Sequence, residues 1–337
     1  MRTRNVREDI GPIVVYQESA VPYFCLRPRQ VARLRAAFPG TRVVWCRTER
    51  AFVRNLPTVR VAVTWAFRQA WFEAAPQLRV VISSAAGRDL SPLTPPPRVT
   101  VWHGTFHGAL MAETVLGWML AFNRGILSAY RYQIQGALWP REALYGQVRL
   151  LHGTHALIVG FGHIGTAIGR LLKPFGVRVT GVRRTPQTRL PAGFGPEDAV
   201  VPIGQLDALL PEADHLILVL PSDTGTDRLI NAARLARLPR HAVLYNVGRG
   251  NCLDEAALAR ALTTGRLRGA CLDVFAEEPL QPGSPLVADL PGLVRLPHAS
   301  AFADEYMERF TDEVIARLAA RSRRRTRSAR AAREGAE

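Results

Sequence analysis

Residues 155–172 read HALIVGFGHIGTAIGRLL, and the fold of the chain is decided by this stretch. The apolar run at 156–159 predicts a buried strand, and the residues after the glycines are helix-like. Gly160 permits a tight turn, Gly162 lets the main chain approach a pyrophosphate, and Gly165 lets helix and strand pack closely. Free amides at the start of the helix bind the anion. This context favours a dinucleotide-binding loop over a structural glycine turn.

His163 and Ile164 stand between the last two glycines of the loop, where the predicted helix begins. Backbone amides at a helix start are the donors that a phosphate needs. We therefore expect both residues to contact the coenzyme, and for His163 the amide matters more than the ring.

The choice between NAD and NADP is usually read at the end of the next strand, where a carboxylate binds the ribose hydroxyls of NAD. This chain has Arg183, Arg184 and Thr185 there, and no acidic residue. Two guanidinium groups beside a hydroxyl suit a phosphate dianion, so the sequence favours NADP(H) over NAD(H). The alternative is an arginine-rich surface turn, because arginine is frequent throughout the chain.

The rest of the sequence alternates short apolar runs with helix-like segments, as expected of an α/β protein. A length of 337 residues suggests roughly two domains. The segment SPLTPPP at 91–97 breaks regular structure. The first series of predicted strands lies before it, at 13–16, 42–46, 61–65 and 78–84. A second series begins before the glycine loop and continues at 178–182, 215–220, 242–247 and 269–275. The sequence therefore predicts two doubly wound domains, each with a parallel sheet.

Composition limits the classes of protein to which the chain can belong. No stretch approaches the roughly 20 apolar residues of a membrane-spanning helix, and the charged N-terminus lacks the apolar core of a secretory signal. The four cysteines show no CxxC pair and no metal-ligand spacing against the histidines, so we expect reduced thiols and no metal. A cytoplasmic protein that does not bind membranes is the prediction.

The formal net charge of +16 comes almost entirely from arginine, since Lys173 is the only lysine. Its clearest cluster, RSRRRTRSARAAR at 321–333, has little apolar content and predicts a disordered tail. Binding of this tail to nucleic acid or acidic lipid is one alternative. We expect a solvated chain end instead.

Further motifs in the second half resemble those of the D-isomer-specific 2-hydroxyacid dehydrogenase family, in the family's order and spacing. They are LLPEADHLILVLPSDTGTDRLI at 209–230, NVGRG at 246–250, GACLDVFAEEPL at 269–280 and LPHAS at 296–300. Upstream, MAETVLGWMLAFNR at 111–124 resembles the helix by which that family crosses between domains. Among subfamilies, the glyoxylate and hydroxypyruvate reductases are the most similar.

The resemblance implies three catalytic residues, and the reduction of a 2-oxo acid requires these residue types. Arg249 would bind the substrate carboxylate and polarise the carbonyl group. His298 would donate the proton to the carbonyl oxygen as general acid. Glu278 would bind the other ring nitrogen, and its negative charge favours the imidazolium form.

The resemblance also implies further contacts. Ala86 and Gly87 match a turn whose backbone amides hold the substrate carboxylate, and Asp273 matches the acid that contacts the nicotinamide carboxamide. Arg88 stands where the family more often has a small or apolar residue, so an extra cation there would favour a more acidic substrate. Other coenzyme contacts are expected from Leu220, Pro221, Thr226, Val247, Gly248 and Ser300.

The resemblance implies a Rossmann coenzyme domain at 102–300 and a flavodoxin-like substrate domain at 1–101 plus 301–320, with the ligand cleft between them. The tail would occupy 321–337, and a homodimer is expected because family members are commonly dimers. Two other functions stay open: a dehydrogenase of a phosphorylated or phosphonate-bearing hydroxy acid, and a coenzyme-sensing protein without turnover, like corepressors that resemble this family.

Overall fold

The computed structural model describes residues 10–87, 92–185 and 190–334, with side chains to Arg323. Within these ranges, no helix is both long enough and apolar enough to cross a bilayer.

The chain divides into two compact units. The first is Met1–His107 together with Phe302–Glu337, and the second is Gly108–Ala301. We expected the chain to pass between domains after residues 101 and 300, so the first passage is six residues later than predicted. The reason is an additional strand at the end of the first segment, which belongs to the sheet of the first unit.

The first unit contains a five-stranded parallel sheet. Its strands are β1 (Ile13–Tyr16), β2 (Val43–Trp45), β3 (Val61–Thr64), β4 (Val80–Ser83) and β5 (Thr100–His103), in the order β2-β1-β3-β4-β5. The helices between them are α1 (Pro28–Ala37), α2 (Glu49–Asn55) and α3 (Trp71–Ala74). This strand order is the flavodoxin-like arrangement that was predicted. β5 was not predicted.

The second unit contains a seven-stranded parallel sheet. Its strands are β6 (His155–Val159), β7 (Arg178–Arg183), β8 (Ala199–Pro202), β9 (His215–Leu218), β10 (Val243–Asn246), β11 (Gly269–Leu272) and β12 (Leu293–Arg295). Its helices are α4 (His107–Asn123), α5 (Ile126–Ile134), α6 (His163–Leu172), α7 (Leu206–Leu209), α8 (Ala232–Leu235) and α9 (Glu255–Thr263). The two parallel-sheet α/β domains predicted from the sequence are therefore confirmed.

The strand order of the second sheet, β12-β11-β10-β9-β6-β7-β8, contains a point where the chain changes direction. From β6 the chain builds β7 and β8 on one side, and then returns to place β9 on the other side of β6. The carboxyl ends of β6 and β9 therefore flank the switch point at which open parallel sheets bind ligands.

Buried histidines begin two strands of this sheet at the amino edge. The His155 ring bonds the Thr180 hydroxyl at 2.8 Å, and the His215 ring lies 3.2 Å from the Tyr245 hydroxyl. Burial lowers the pKa of His215 to about 4, so this ring is neutral at pH 7. These are core histidines that stabilise the sheet.

The helix α10 (Tyr306–Glu334) follows the second unit in the sequence and packs against α1 in the first unit. Glu308 accepts hydrogen bonds from Gln30 at 3.0 Å and Arg33 at 2.5 Å. The backbone stays helical through most of the segment for which we expected a disordered tail. Arginine and alanine are good helix formers, and residues 306–334 contain no glycine or proline.

Candidate active site

The residues predicted to act on coenzyme and substrate in the second unit lie along one edge of its sheet. Each follows the carboxyl end of a strand, except Arg183, which ends one. Across the edge they are His298 after β12, Glu278 after β11, Arg249 after β10, Leu220 and Pro221 after β9, Gly160 after β6, and Arg183 at the end of β7. Strand order thus brings together residues from six separate segments of the chain.

The glycine loop joins β6 to α6 at the switch point. Gly160 has φ +101°, and a β-carbon on it would lie 2.2 Å from the carbonyl oxygen of Val219. A β-carbon on Gly165 would lie 2.5 Å from the Gly160 carbonyl oxygen. A β-carbon on Gly162, in contrast, would meet nothing within 4 Å. The loop therefore packs tightly at its two ends and is open in the middle.

Helix α6 begins at His163, directly after that open position. The amides of the first helical turn, which include those of His163 and Ile164, have no partner within the helix, and they carry the positive end of its dipole. The open space at Gly162 and these donors fit the pyrophosphate of a dinucleotide.

The loops that follow β9 and β10 pack against each other beside the glycine loop. A β-carbon on Gly248 would lie 2.4 Å from the Leu220 amide nitrogen, and Val247 is buried beneath. The Thr226 hydroxyl lies 2.8 Å from the carbonyl oxygen of Pro221 and accepts the amide of Asp223 at 3.1 Å. Thr226, predicted to contact the coenzyme, thus holds its own loop in shape.

The end of β7 carries the predicted determinants of coenzyme choice. Arg183 is partly buried, whereas Arg184 and Thr185 are exposed. One guanidinium nitrogen of Arg184 lies 3.8 Å from the carboxylate of Asp223. Sequence reasoning missed this pair, because Asp223 follows a different strand.

His298 and Glu278 form a hydrogen-bonded pair. Nδ1 of His298 donates to Oε2 of Glu278 at 2.7 Å, and Oε1 of Glu278 accepts the amide of Phe275 at 3.0 Å. Because the carboxylate is an acceptor, it fixes the proton on Nδ1. The other ring nitrogen, Nε2, is then the one suited to proton exchange with a ligand.

His298 adopts a left-handed backbone conformation, with φ +53°. Such a conformation costs about 1–3 kcal/mol in a residue other than glycine, and it persists only where neighbours enforce it. Asp273 does so here: its carbonyl accepts the His298 amide at 2.8 Å, and its carboxylate accepts the amides of Ala299 at 2.6 Å and Ser300 at 3.0 Å.

Asp273 is fully buried, and this burial raises the pKa of its carboxyl group, although the Ser300 hydroxyl and the Ala299 amide oppose the shift. The sequence predicted contacts with the coenzyme for Asp273 and Ser300. The structure gives both side chains a further role, since their hydrogen bond fixes the segment that begins at His298.

Arg249 stands in a turn that is held from inside by Asn246. The Asn246 side chain donates to the Arg249 carbonyl at 3.0 Å and accepts the Gly248 amide at 3.1 Å. The Arg249 guanidinium donates to the Gly248 carbonyl at 2.8 Å. A β-carbon on Gly250 would lie 1.8 Å from the carbonyl carbon of Phe275, so this turn packs on the segment leading to Glu278.

Asn246 was not predicted as a functional residue. One feature of the sequence could have indicated its role. Asn246 is the polar residue in the apolar run AVLYNV at 242–247, two residues before Gly248. A fully buried amide needs hydrogen-bond partners, and here the turn provides them.

Ala86 and Gly87 belong to the first unit, where they follow the carboxyl end of β4. The turn is anchored just before them at Ser84, whose hydroxyl accepts from the Gln17 side chain at 2.7 Å and whose carbonyl accepts from the Tyr306 hydroxyl at 3.3 Å. The exposed position of Ala86 leaves this turn accessible to solvent.

His107 lies 2.9 Å from the same Tyr306 hydroxyl, and its burial lowers its pKa to about 4. This ring is therefore neutral at pH 7 and part of the packing of the first unit. In the part of the chain that the structure describes, no three His, Cys, Asp or Glu side chains are grouped as metal ligands.

Comparison with known proteins shows to which family the chain belongs. The family model for the D-isomer specific 2-hydroxyacid dehydrogenase, NAD binding domain, matches residues 116–300. The chain is 33% identical to a glyoxylate reductase of Korarchaeum cryptofilum, over 74% of each chain.

Two solved structures share its fold. A D-isomer specific 2-hydroxyacid dehydrogenase from Xanthobacter autotrophicus Py2, in complex with NADPH and MES, aligns with a TM-score of 0.75 and 32% identity, covering 92% of this chain and 95% of the other. An NADPH-dependent glyoxylate/hydroxypyruvate reductase from Sinorhizobium meliloti, in complex with NADP and sulfate, aligns with a TM-score of 0.72 and 29% identity. The alignment covers 92% of this chain and 95% of the other. The chain belongs to the D-isomer-specific 2-hydroxyacid dehydrogenase family and is an NAD(P)-dependent oxidoreductase.

Proposed function

We propose that the protein reduces a small 2-oxo acid of the glyoxylate or hydroxypyruvate type to the D-2-hydroxy acid, with His298 as general acid. The observation that carries this proposal is the pair of His298 and Glu278 beside the Arg249 turn, on neighbouring strand ends. The names of the relatives, glyoxylate reductase and glyoxylate/hydroxypyruvate reductase, support the substrate class.

In this reaction, Arg249 binds the substrate carboxylate and directs positive charge at the carbonyl oxygen. Nε2 of His298 donates a proton to that oxygen, while Glu278 stabilises the charged ring before the transfer. The reduced coenzyme, when bound, supplies the hydride. In the reverse direction, the neutral ring accepts the proton of the hydroxyl group.

The first test is the loss of NADPH or NADH absorbance with glyoxylate, hydroxypyruvate, pyruvate and phosphohydroxypyruvate. We expect turnover with glyoxylate or hydroxypyruvate. Coenzyme binding without turnover of any acid would instead indicate a coenzyme-sensing protein. Activity with phosphohydroxypyruvate alone would indicate a phosphorylated substrate, an alternative suggested by Arg88, which lies outside the described residues.

We also propose that NADPH is preferred over NADH through Arg183 and Arg184. The solved relatives bound to NADPH and NADP support this choice. Replacing Arg184 by alanine should raise the KM for NADPH by about tenfold and leave that for NADH unchanged, because a charged hydrogen bond to the 2′-phosphate is lost. Asp223→Asn should lower the KM for NADPH, since it removes the carboxylate beside Arg184.

Arg124→Ala is the matched control for that measurement, because Arg124 is an exposed arginine of the same unit. Steady-state kinetics would measure the KM of each variant for NADPH and for NADH. An equal loss with NADH and NADPH in Arg184→Ala would show that this arginine does not read the 2′-phosphate.

We further propose a homodimer formed through α5 and the loop after it. Ile126, Tyr130 and Ile134 recur every four residues on α5 and are 56%, 62% and 68% exposed, and Trp139 in the loop is 80% exposed. Soluble monomers rarely leave such apolar surface uncovered. Sedimentation velocity should show a dimer that Trp139→Arg weakens and Val287→Arg, at an exposed apolar position elsewhere, does not. A monomeric wild-type protein would refute this assembly.

A cytoplasmic location stays our prediction. The four cysteines are free thiols, and three of them are buried. Proteins of reducing compartments commonly keep their thiols in this state. Cell fractionation would test the location.

A further inference from the structure

The segment at 273–278 contains both of the groups that fix His298. The Asp273 carbonyl accepts the His298 amide at 2.8 Å, and Oε2 of Glu278 accepts a hydrogen bond from Nδ1 of the ring at 2.7 Å. The backbone of His298 is therefore fixed from one end of this segment, and its ring from the other end. The orientation of the ring depends on where the Glu278 end lies.

Two carboxylates hold the segment through consecutive amides. Oε1 of Glu278 accepts the Phe275 amide at 3.0 Å, and Oε1 of Glu255 accepts the Ala276 amide at 2.7 Å. The bond from Glu278 closes within the segment, whereas Glu255 is the first residue of α9. Five of the nine residues of that helix are buried, so it is a well-fixed support for the bond.

The turn that contains Arg249 supports the same segment by steric contact. A β-carbon on Gly250 would lie 1.8 Å from the carbonyl carbon of Phe275 and 2.3 Å from the Ala276 nitrogen. Such a contact stops the segment from moving closer to the turn, but it does not stop it from moving away. The hydrogen bond of Ala276 with Glu255 supplies the attraction that the contact lacks.

Glu255 is partly buried, and burial raises the pKa of its carboxyl group, although the Ala276 amide opposes the shift. The ionised side chain therefore lowers the stability of the fold at neutral pH. A carboxylate, however, binds an amide more strongly than a neutral acceptor does. A residue that lowers stability and strengthens one contact is expected where that contact serves function.

We infer that Glu255 is a positioning residue, which keeps Glu278 within hydrogen-bond reach of His298. It acts on the reaction through Glu278 alone. When the Ala276 amide is released, the Glu278 end of the segment is free to shift, and the ring loses its fixed acceptor at Nδ1. The inference rests on the proposed function, in which Nε2 of His298 exchanges a proton with the substrate.

The kinetic test is the single-turnover rate of NADPH oxidation with a 2-oxo acid in excess, since product release can limit kcat. Glu255→Ala should lower this rate by about tenfold, because a charged hydrogen bond is lost, and should keep the KM for NADPH within about twofold. Glu255→Gln retains an acceptor and should recover most of the rate. Glu277→Ala, which removes an exposed carboxylate from the same segment, should react as the wild type does.

A double-mutant cycle shows whether Glu255 acts through Glu278. In the Glu278→Ala protein, the added change Glu255→Ala should cost less than about twofold, because the side chain to be positioned is already gone. A further loss of about tenfold would mean that Glu255 acts on the reaction by another route, and the inference would be wrong.

The tautomer of His298 provides a readout that needs no turnover. In ¹⁵N-histidine-labelled protein at about pH 9, where histidine rings are neutral, two-bond ¹H–¹⁵N correlation spectra distinguish a proton on Nδ1 from one on Nε2. His298, assigned by the loss of its signal in His298→Asn, should carry the proton on Nδ1 in the wild type. Glu255→Ala should shift part of the population to the Nε2 tautomer, whereas Glu255→Gln and Glu277→Ala should not.

Thermal unfolding shows whether each variant is folded, and Glu255→Met replaces Glu255→Ala if that variant is not. An inactive wild type in which Glu255→Ala still changes the tautomer of His298 would refute the proposed function and support the positioning role. An unchanged tautomer in Glu255→Ala would overturn the inference whatever the rates are. A wild-type proton on Nε2, or an unchanged rate in an active Glu255→Ala protein, would overturn it as well.

Discussion

Replacing His298 by asparagine should lower kcat for 2-oxo acid reduction by about 10²- to 10⁴-fold, the usual contribution of a positioned general acid. Asparagine is the informative substitution because it tolerates the left-handed conformation that His298 adopts, with φ +53°. The backbone anchored by Asp273 should then stay in place, and the KM for NADPH should stay within about twofold of the wild-type value.

Two other variants test whether the loss of kcat is specific to the imidazole of His298. His152→Asn removes an exposed histidine of the same unit and should leave kcat unchanged. Glu278→Gln retains an acceptor for Nδ1 but removes the negative charge, so its kcat should lie between those of the wild type and His298→Asn. Wild-type kcat in His298→Asn would contradict the assignment of His298 as general acid.

Replacing Arg249 by glutamine should lower kcat/KM for the 2-oxo acid by about 10²- to 10³-fold, the usual effect of removing a donor at a developing oxyanion. Arg249→Lys should recover only part of the loss, because an ammonium group lacks the planar fork that binds a carboxylate. Both variants should keep the KM for NADPH, since the glycine loop follows a different strand and Asn246 still holds the turn that contains Val247 and Gly248. Steady-state kinetics with the acid and the coenzyme varied in turn would measure this.

The Arg249 guanidinium also donates to the Gly248 carbonyl, so a structural loss has to be separated from a catalytic one. Added guanidinium ion at millimolar concentration should restore part of the activity of Arg249→Gln if the cation acts on the substrate. A parallel rise in the KM for NADPH would instead show that the turn itself had been displaced.

Most of the fold could be predicted because buried parallel strands are continuous apolar runs. β6, β9, β10 and β11 are buried along their whole length, and all four were predicted. The missed strands, β5, β8 and β12, lack a fully buried residue. β5 also follows a proline-rich segment, and such a segment predicts a break in regular structure. Edge strands of three or four partly exposed residues carry little apolar signal.

The site was predictable to the extent that it is built from local motifs. The glycine loop needs only one strand and one helix, both close in sequence. The pair of His298 and Glu278 required the resemblance, because the two residues meet only through the adjacency of β11 and β12. The supporting contacts of Asn246, and the salt bridge of Arg184 with Asp223, depend on the packing of loops. No spacing in the sequence encodes them.

The first unit is built from two segments, one before and one after the second unit, and this has a consequence for biosynthesis. The second unit is one continuous segment that ends at Ala301, whereas the first unit also requires α10, which follows the second unit in the sequence and is translated after it. Domains fold as units while the chain emerges from the ribosome. The second unit, with its glycine loop and His298, can therefore be complete before the first. Until α10 emerges, the surface of α1 that it covers stays open, and ribosome stalling near residue 305 would expose it to chaperones and proteases.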